Sequence, residues 1–278
     1  MTDAPQRSVL ITGCSSGIGL ATARMLRERG YRVFATARKA GDVARLQDDG
    51  YESLRLDLDD SDSIREAVDE ILLRTTGTLY GLFNNGAWGQ PGAVEDLKRH
   101  VLRAQFETNL FGTLELTNRV IPVMRRQGYG RIIMNSSVLG FAAMPMRGAY
   151  NASKFALEGL SDTLRQELHG TGIHVVLVEP GPIETRFRAN SLKKFIENID
   201  IDASRYREQY LRTLERLKTE GPAVPFTLPP EAVARKVVLA LEKRRPQPRY
   251  YVTVPTYLFG YLKRILGTRA MDAILRRV

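Results

Sequence analysis

The sequence predicts an α/β fold, one doubly wound parallel sheet in a single domain with a small helical cover over its functional edge. Two observations predict it. Mainly apolar runs at residues 9–12, 32–36, 54–57, 79–84, 131–136 and 174–179 lack polar alternation, as strands buried on both faces do. Helix-period segments separate them near 18–29, 61–75, 97–127 and 149–169. Strand and helix alternating from residue 8 to about 180 is the pattern of right-handed crossovers that lay helices on both faces of a sheet. The 278 residues, 43% apolar and 26% charged, suit one globular domain.

The first strand runs into Gly13-Cys14-Ser15-Ser16-Gly17-Ile18-Gly19, and a helix pattern follows from Leu20. Such a strand–turn–helix gathers backbone N–H groups and a positive helix end at one point, an anion site. Glycines there let the backbone approach a pyrophosphate, so Gly13, Ser15, Ser16, Gly17, Ile18 and Gly19 are candidate dinucleotide contacts. The same residues satisfy Gly-x-Ser-x-Gly, the nucleophile elbow of hydrolases. That elbow needs strands before it, and only seven residues precede the first strand; its histidine would have to be His100, His169 or His174. The hydrolase reading is set aside.

Past Pro180 the pattern changes. Residues 186–228 carry helical stretches at 191–199 and 206–220, too few to bury a core of their own, which reads as a substrate lid. A helix at 231–243 and a strand at 250–254 return to the sheet. Residues 255–278 then form a basic amphipathic pattern, with Leu258, Leu262, Ile265, Leu266, Ile274 and Leu275 among Lys263, Arg264, Arg269, Arg276 and Arg277. Residues 235–278 hold nine of the ten net positive charges. Docking on the protein itself, peripheral contact with a membrane surface and nucleic-acid binding all fit that charge; no nucleic-acid motif accompanies it, so none is expected. The single cysteine excludes a disulfide framework and fits a reducing, cytoplasmic setting. The polar segment 1–7 does not read as a leader, and no run of about 18 apolar residues suggests a membrane span.

Tyr150 and Lys154 stand four apart on a helix and share a face. A free phenol titrates too high for proton transfer at neutral pH, and a neighbouring ammonium favours the phenolate, which predicts a lowered pKa for Tyr150. Ser137 closes a strand with Asn135 and Ser136 and presents hydroxyls at the sheet's carboxyl edge, where such folds bind ligands. Asn109 interrupts an apolar helical period, and Asn84-Asn85-Gly86-Ala87 follows another strand.

In this order and spacing these residues resemble the short-chain dehydrogenase/reductase family, strongly over residues 8–185 and loosely beyond. The branch is similar to 17β-hydroxysteroid and retinol dehydrogenases and to bacterial members that reduce aldehydes with NADPH. The resemblance implies a Rossmann-type, metal-free oxidoreductase with Asn109, Ser137, Tyr150 and Lys154 as its catalytic tetrad. Ser137 rather than Ser136 takes the family serine's place because it lies thirteen residues before the tyrosine. Tyr150 and Lys154 also touch cofactor, Asn85 supports the glycine turn, Asp57 meets the adenine amino group, and Pro180, Gly181, Ile183 and Thr185 form the nicotinamide-side loop. Asn109 is implied to hold a water linking Lys154 to solvent. The family motif is Asn-Asn-Ala-Gly; here Gly86 and Ala87 are exchanged, so Ala87 is expected to take a backbone conformation that glycine adopts freely.

The second strand ends Thr36-Ala37-Arg38-Lys39, with no acid before Asp42. A carboxylate there would hold a ribose 2′-hydroxyl, whereas Arg38, with Ser16, suits a 2′-phosphate, so NADP is the expected cofactor. Apolar side chains of the cover, among them Phe187, Leu192, Phe195, Tyr210 and Phe226, suit an apolar aldehyde, ketone or alcohol, steroids and retinoids included. A non-catalytic cofactor-binding regulator is the alternative of another class, and an intact tetrad speaks against it. The resemblance implies a homodimer or homotetramer through the helices near 97–127 and 149–169.

Overall fold

Seven parallel strands, in the order β3-β2-β1-β4-β5-β6-β7, form the spine of the computed structural model. They are β1 (Ser8–Ile11), β2 (Arg32–Ala37), β3 (Glu52–Arg55), β4 (Gly81–Asn84), β5 (Gly130–Asn135), β6 (Ile173–Glu179) and β7 (Arg249–Tyr251). The structure describes residues 6–219, 221–222 and 224–277. The first five residues of the segment read as non-leader, positions 220 and 223 of the lid and position 278 of the tail lie outside them.

Helices cover both faces: α1 (Gly17–Glu28), α2 (Ala40–Asp48), α3 (Ser61–Arg74), α4 (Arg99–Phe106), α5 (Thr113–Gln127), α6 (Gly148–Glu167) and α9 (Glu231–Glu242). Side chains alternate across each strand. Val9, Ile11, Val33 and Ala35 therefore face one layer, closed by Ala23 and Leu26 of α1 and by Val233, Val237 and Leu241 of α9. Leu10, Phe34, Leu82 and Ile132 face the other, with Ile64 and Ile71 of α3, Leu116 and Val120 of α5 and Leu157 of α6. Burial on both faces is why these strands read as unbroken apolar runs.

The lid holds α7 (Phe187–Asn198) and α8 (Arg207–Lys218), packed through Phe195, Ile199, Tyr210 and Leu217. The tail is two helices, α10 (Val254–Ile265) and α11 (Thr268–Leu275). They dock on the protein itself: Phe259, Met271 and Leu275 pack against Val138, Ala142 and Met144.

Several expectations need correction: the first lid helix starts at Phe187, four residues before the expected 191, and β4 starts at Gly81, two after the expected 79. Helix α2 was not foreseen, because only Leu46 on it is fully buried and the apolar period is faint. The run at 97–127 is two α-helices joined by a π-helical turn, Glu107–Gly112. Strand β3 lies two residues earlier than expected, since as an edge strand its register follows β2 alone, Phe34 facing Glu52 and Ala37 facing Arg55. The last strand ends at Tyr251, because Pro255 near the first turn of α10 starts a helix there.

Candidate active site

The strand order reverses between β1 and β4, and the glycine turn leaves the carboxyl end of β1 there. Gly13 and Gly17 have φ of +71° and +60°, values that suit glycine. A Cβ on Gly19 would stand 2.4 Å from the Gly13 carbonyl oxygen, so the turn closes only without a side chain. Cys14 N–H donates to Thr36 O at 2.8 Å and fastens the turn to the end of β2. Ser16 precedes α1 in extended conformation without a capping bond from its side chain, leaving the first N–H groups of the helix to another acceptor. Left-handed glycines, close backbone approach and an uncapped helix N-terminus fit a dinucleotide pyrophosphate.

Asn85 secures this turn. Its Nδ2 donates to Thr12 O at 2.9 Å and Gly13 O at 3.2 Å, and its Oδ1 accepts from Asn135 Nδ2 at 2.9 Å. Thr12 Oγ1 accepts from the N–H groups of Asn85 and Gly86, a role the sequence did not signal. Neither Gly86 nor Ala87 has a positive φ, so the Gly–Ala exchange carries none of the backbone strain expected of it. The space is what counts: a Cβ at Gly86 would meet Leu58 Cδ1 at 3.0 Å.

Arg38 is exposed just past β2. Arg45 of α2, not foreseen, donates to Ser15 O at 2.7 Å and pairs with Asp42 at 3.1 Å. Asp57 lies half-buried beyond β3, where its carboxylate accepts from Asp59 N–H at 3.2 Å. Pro180 O accepts from Val138 N–H at 2.8 Å, and Gly181 lies so close to Thr253 that a Cβ would come within 2.1 Å of its Oγ1. Ile183 bridges to Leu228, and Thr185 comes back over the glycine turn, 3.0 Å from where a Gly17 Cβ would be. Ile18 packs on the core beneath.

The tetrad positions converge on the ends of β5 and α6. Ser137 faces the Tyr150 phenol closely enough to favour its ionised form, and its Oγ accepts from Leu139 N–H at 3.1 Å. Lys154 is buried; its Nζ donates to Asn135 O at 2.7 Å and stands 5.6 Å from the Tyr150 ring centroid. Asn109, in the π-helical turn, spends both N–H donors, on Trp88 O at 2.9 Å and Ser153 Oγ at 3.2 Å, and accepts from Trp88 N–H at 3.1 Å. Ser153 Oγ in turn donates to Tyr150 O at 2.9 Å, so Asn109 ties the loop after β4 to the catalytic helix.

The expected lowering of the Tyr150 pKa is overturned. Burial pushes the phenol well above its ordinary value, with the Ser137 hydroxyl opposing. Burial is also what brings Lys154 down to about 8, with Glu158 opposing. The source of the burial includes Phe187, whose ring stands edge-on to Tyr150 at 5.3 Å. Of the other cover residues, Phe195 and Tyr210 are the lid's own core: Tyr210 OH accepts from Ala93 N–H at 2.9 Å and donates to Asp96. Among the described residues no group of three or more His, Cys, Asp or Glu could hold a metal.

Fold and site together define a dinucleotide-dependent oxidoreductase. The chain belongs to the short chain dehydrogenase family, which matches residues 7–195. It is 44% identical over 271 residues to an uncharacterised oxidoreductase of Escherichia coli K12, YbbO, covering 98% of this chain and 94% of that one. It is 37% identical to a 3-ketodihydrosphingosine reductase of Bacteroides thetaiotaomicron, covering 76% of each. Human 17-beta-hydroxysteroid dehydrogenase type 1 is 33% identical, covering 88% and 77%, which places the chain in that branch. A short chain dehydrogenase/reductase from Burkholderia phymatum in complex with NAD superposes with a TM-score of 0.78 at 25% identity, covering 99% and 97%.

Proposed function

We propose that the protein reduces apolar aldehydes and ketones, or oxidises the matching alcohols, with NADP(H). The observation that carries this reading is the convergence of Ser137, Tyr150 and Lys154 beneath Phe187. A bound nicotinamide supplies the hydride for reduction and takes it up in oxidation. Tyr150 donates its phenolic proton to the carbonyl oxygen, and Ser137 donates a hydrogen bond to the same oxygen as charge develops. Lys154 favours the phenolate left behind, and Asn109 keeps the loop after β4 and α6 in register. Gly13, Ser15, Ser16, Gly17, Ile18 and Gly19 hold the pyrophosphate, Asp57 the adenine, and Pro180, Gly181, Ile183 and Thr185 the nicotinamide side, with Asn85 bracing the turn.

The preference for NADP rests on Arg38. No carboxylate stands between β2 and Asp42, and Asp42 is occupied by Arg45. A 2′-phosphate would meet a guanidinium on Arg38 and the Ser16 hydroxyl. A long-chain ketone or aldehyde is favoured as substrate by the apolar cover and by the likeness to a reductase of a keto-sphingoid base; the steroid dehydrogenase likeness keeps steroid and retinoid carbonyls as the second reading.

Exposed Leu102, Phe111, Phe155 and Leu160, on α4, the π-helical turn and α6, support a homodimer or homotetramer through these helices. On α10, Val254, Tyr257, Leu258, Tyr261 and Ile265 form an exposed apolar stripe beside Arg264. That stripe supports peripheral contact of a cytoplasmic enzyme with an anionic membrane, from which apolar substrates would be drawn. No helix among the described residues is long and apolar enough to cross a membrane.

The test is NADPH and NADH oxidation with octanal, benzaldehyde, retinal and a steroid ketone. Tyr150→Phe is expected to lower kcat by about 10²–10⁴ while NADPH still binds. Arg38→Ala is expected to weaken NADPH about 10–100-fold and leave NADH unchanged. Full activity of Tyr150→Phe, or wild-type preference for NADH, overturns the corresponding part.

A further inference from the structure

One turn beyond Lys154, α6 carries a second buried acid–base group that the proposed reaction does not use. Glu158 is 7% exposed, and its Oε1 accepts from Ser136 Oγ at 2.5 Å. A Cβ on Gly140 would stand 3.0 Å from Glu158 Cγ and Oε1, so the same carboxylate also abuts the turn after Ser137. Ser136 and Gly140 bracket Ser137 and the short 3-10 turn, Val138–Gly140, that it caps. Lys154 holds the preceding residue through Asn135 O. Three contacts from one face of α6 thus fix the strand end that presents Ser137.

The far side of Glu158 is a charge cluster. Arg249 of β7 bonds Glu158, Glu179 at 2.5 Å and Asp162 at 2.6 Å. The charged and titratable groups around Glu158 are Lys154 and Asp162 on α6, Glu179 at the end of β6, Arg249 and Tyr251 on β7, and Lys263 and Arg264 on α10. Glu179 is fully buried, with no hydrogen-bond partner for its Oε2. Burial first, and Glu158 second, push Glu179 up to about 8. Glu158, Asp162 and Glu179 all share the single guanidinium of Arg249, three carboxyl groups on one cation, one helical turn from Lys154. An acid needed only to pack or to pair Arg249 has no reason to reach Ser136 as well, since Glu179 and Asp162 already flank the guanidinium.

We infer that Glu158 is a positioning residue of the active site: it anchors both flanks of Ser137 and stands one helical turn from Lys154 on the same face of α6. The inference rests on the proposed roles of Ser137, Tyr150 and Lys154. Removing the charge makes the Lys154 ammonium less favourable, which makes the Tyr150 phenolate less favourable in turn. Alcohol oxidation, which needs the phenolate to accept a proton, then begins at higher pH.

The experiment compares wild type, Glu158→Gln, Glu158→Asp, Ser136→Ala and Tyr150→Phe. Two readouts are the pH profile of kcat/KM for 1-octanol with NADP and, without cofactor, the titration midpoint of Lys154 Nζ by ¹⁵N NMR, assigned with Lys154→Arg. Glu158→Gln is expected to lower the Lys154 midpoint by about one pH unit, move the rising limb of oxidation upward by a similar amount and reduce kcat about tenfold. Glu158→Asp is expected to restore the midpoint and the limb. Ser136→Ala is expected to reduce kcat and move neither. An unmoved midpoint in Glu158→Gln, or equal losses in the Gln and Asp variants with an unmoved limb, overturns the inference. Should Glu158→Gln fail to fold, Ser136→Ala at the wild-type rate overturns it. Turnover by Tyr150→Phe sinks the underlying site reading as well; an inactive Tyr150→Phe with an unmoved Glu158→Gln sinks this inference alone.

Discussion

The glycine turn and the lid meet at Thr185, yet they are held by different means. Backbone and one side-chain amide hold the turn: Cys14 N–H on Thr36 O, Asn85 Nδ2 on Thr12 O and Gly13 O, and a Gly19 that sits against Gly13 O with no room for a methyl group. The lid is held by a small side-chain core around Phe195 and Tyr210. Its links to the rest include the Ile183–Leu228 bridge and contacts with the loop at 90–96, such as Asn198 on Gln90 at 2.8 Å. Ile196 and Phe226 remain about 60% exposed on it. A cofactor cradle must keep one shape, and backbone geometry enforces one. A substrate cover of the kind proposed for residues 186–228 has to open, and a separable core allows that without disturbing the sheet.

The sharpest break of this contrast is Gly19→Val. Its side chain would collide with the Gly13 carbonyl and Asn85, so dinucleotide binding, read by NADPH fluorescence, is expected to disappear along with a clear drop in Tm. Phe195→Ala should cost about 3–5 kcal/mol within the lid core. The expected signature is a raised substrate KM with the NADPH Kd unchanged; a parallel loss of NADPH binding would show that the two regions are one cooperative unit.

Phe187→Ala tests the point where lid meets chemistry. Burial raises the Tyr150 pKa, so admitting water lowers it, and the rising limb of alcohol oxidation is expected to move to lower pH by about half a unit to one unit. The smallest effect belongs to Ala87→Gly. Because Ala87 has no positive φ, glycine relieves nothing there, and the loss of chain stiffness should lower stability by less than about 1 kcal/mol in thermal melts, with NADPH affinity intact.

Much of this molecule was legible in the residues. Unbroken apolar runs marked strands covered on two sides, and the glycine spacing marked the turn after β1. The proposed tetrad was legible only through the family resemblance of its joint order and spacing: Tyr150 and Lys154 share a helix face and Ser137 follows a strand, but Asn109 sits in a π-helical turn that periodicity does not mark. Helix α2 escaped because an exposed helix with one fully buried residue leaves almost no apolar period. The three-residue β7 was placed one residue late because Arg249, its first residue, reads as surface charge but is turned inward onto Glu158, Glu179 and Asp162.

The sequence by itself determined the fold class and the glycine turn, because these depend on residue type and on neighbours within a few positions; the roles proposed for Asn109, Ser137, Tyr150 and Lys154 came from the family resemblance of their joint order and spacing. Tertiary structure alone decided that Phe187 covers Tyr150 and that Lys154 reaches Asn135 O. It also decided that Glu158 stands between Ser136 and Arg249, residues 22 and 91 positions away in the chain. The physical reason is burial: whether a phenol becomes harder or easier to ionise depends on the water that surrounding elements exclude, and contacts between distant segments set that water's access.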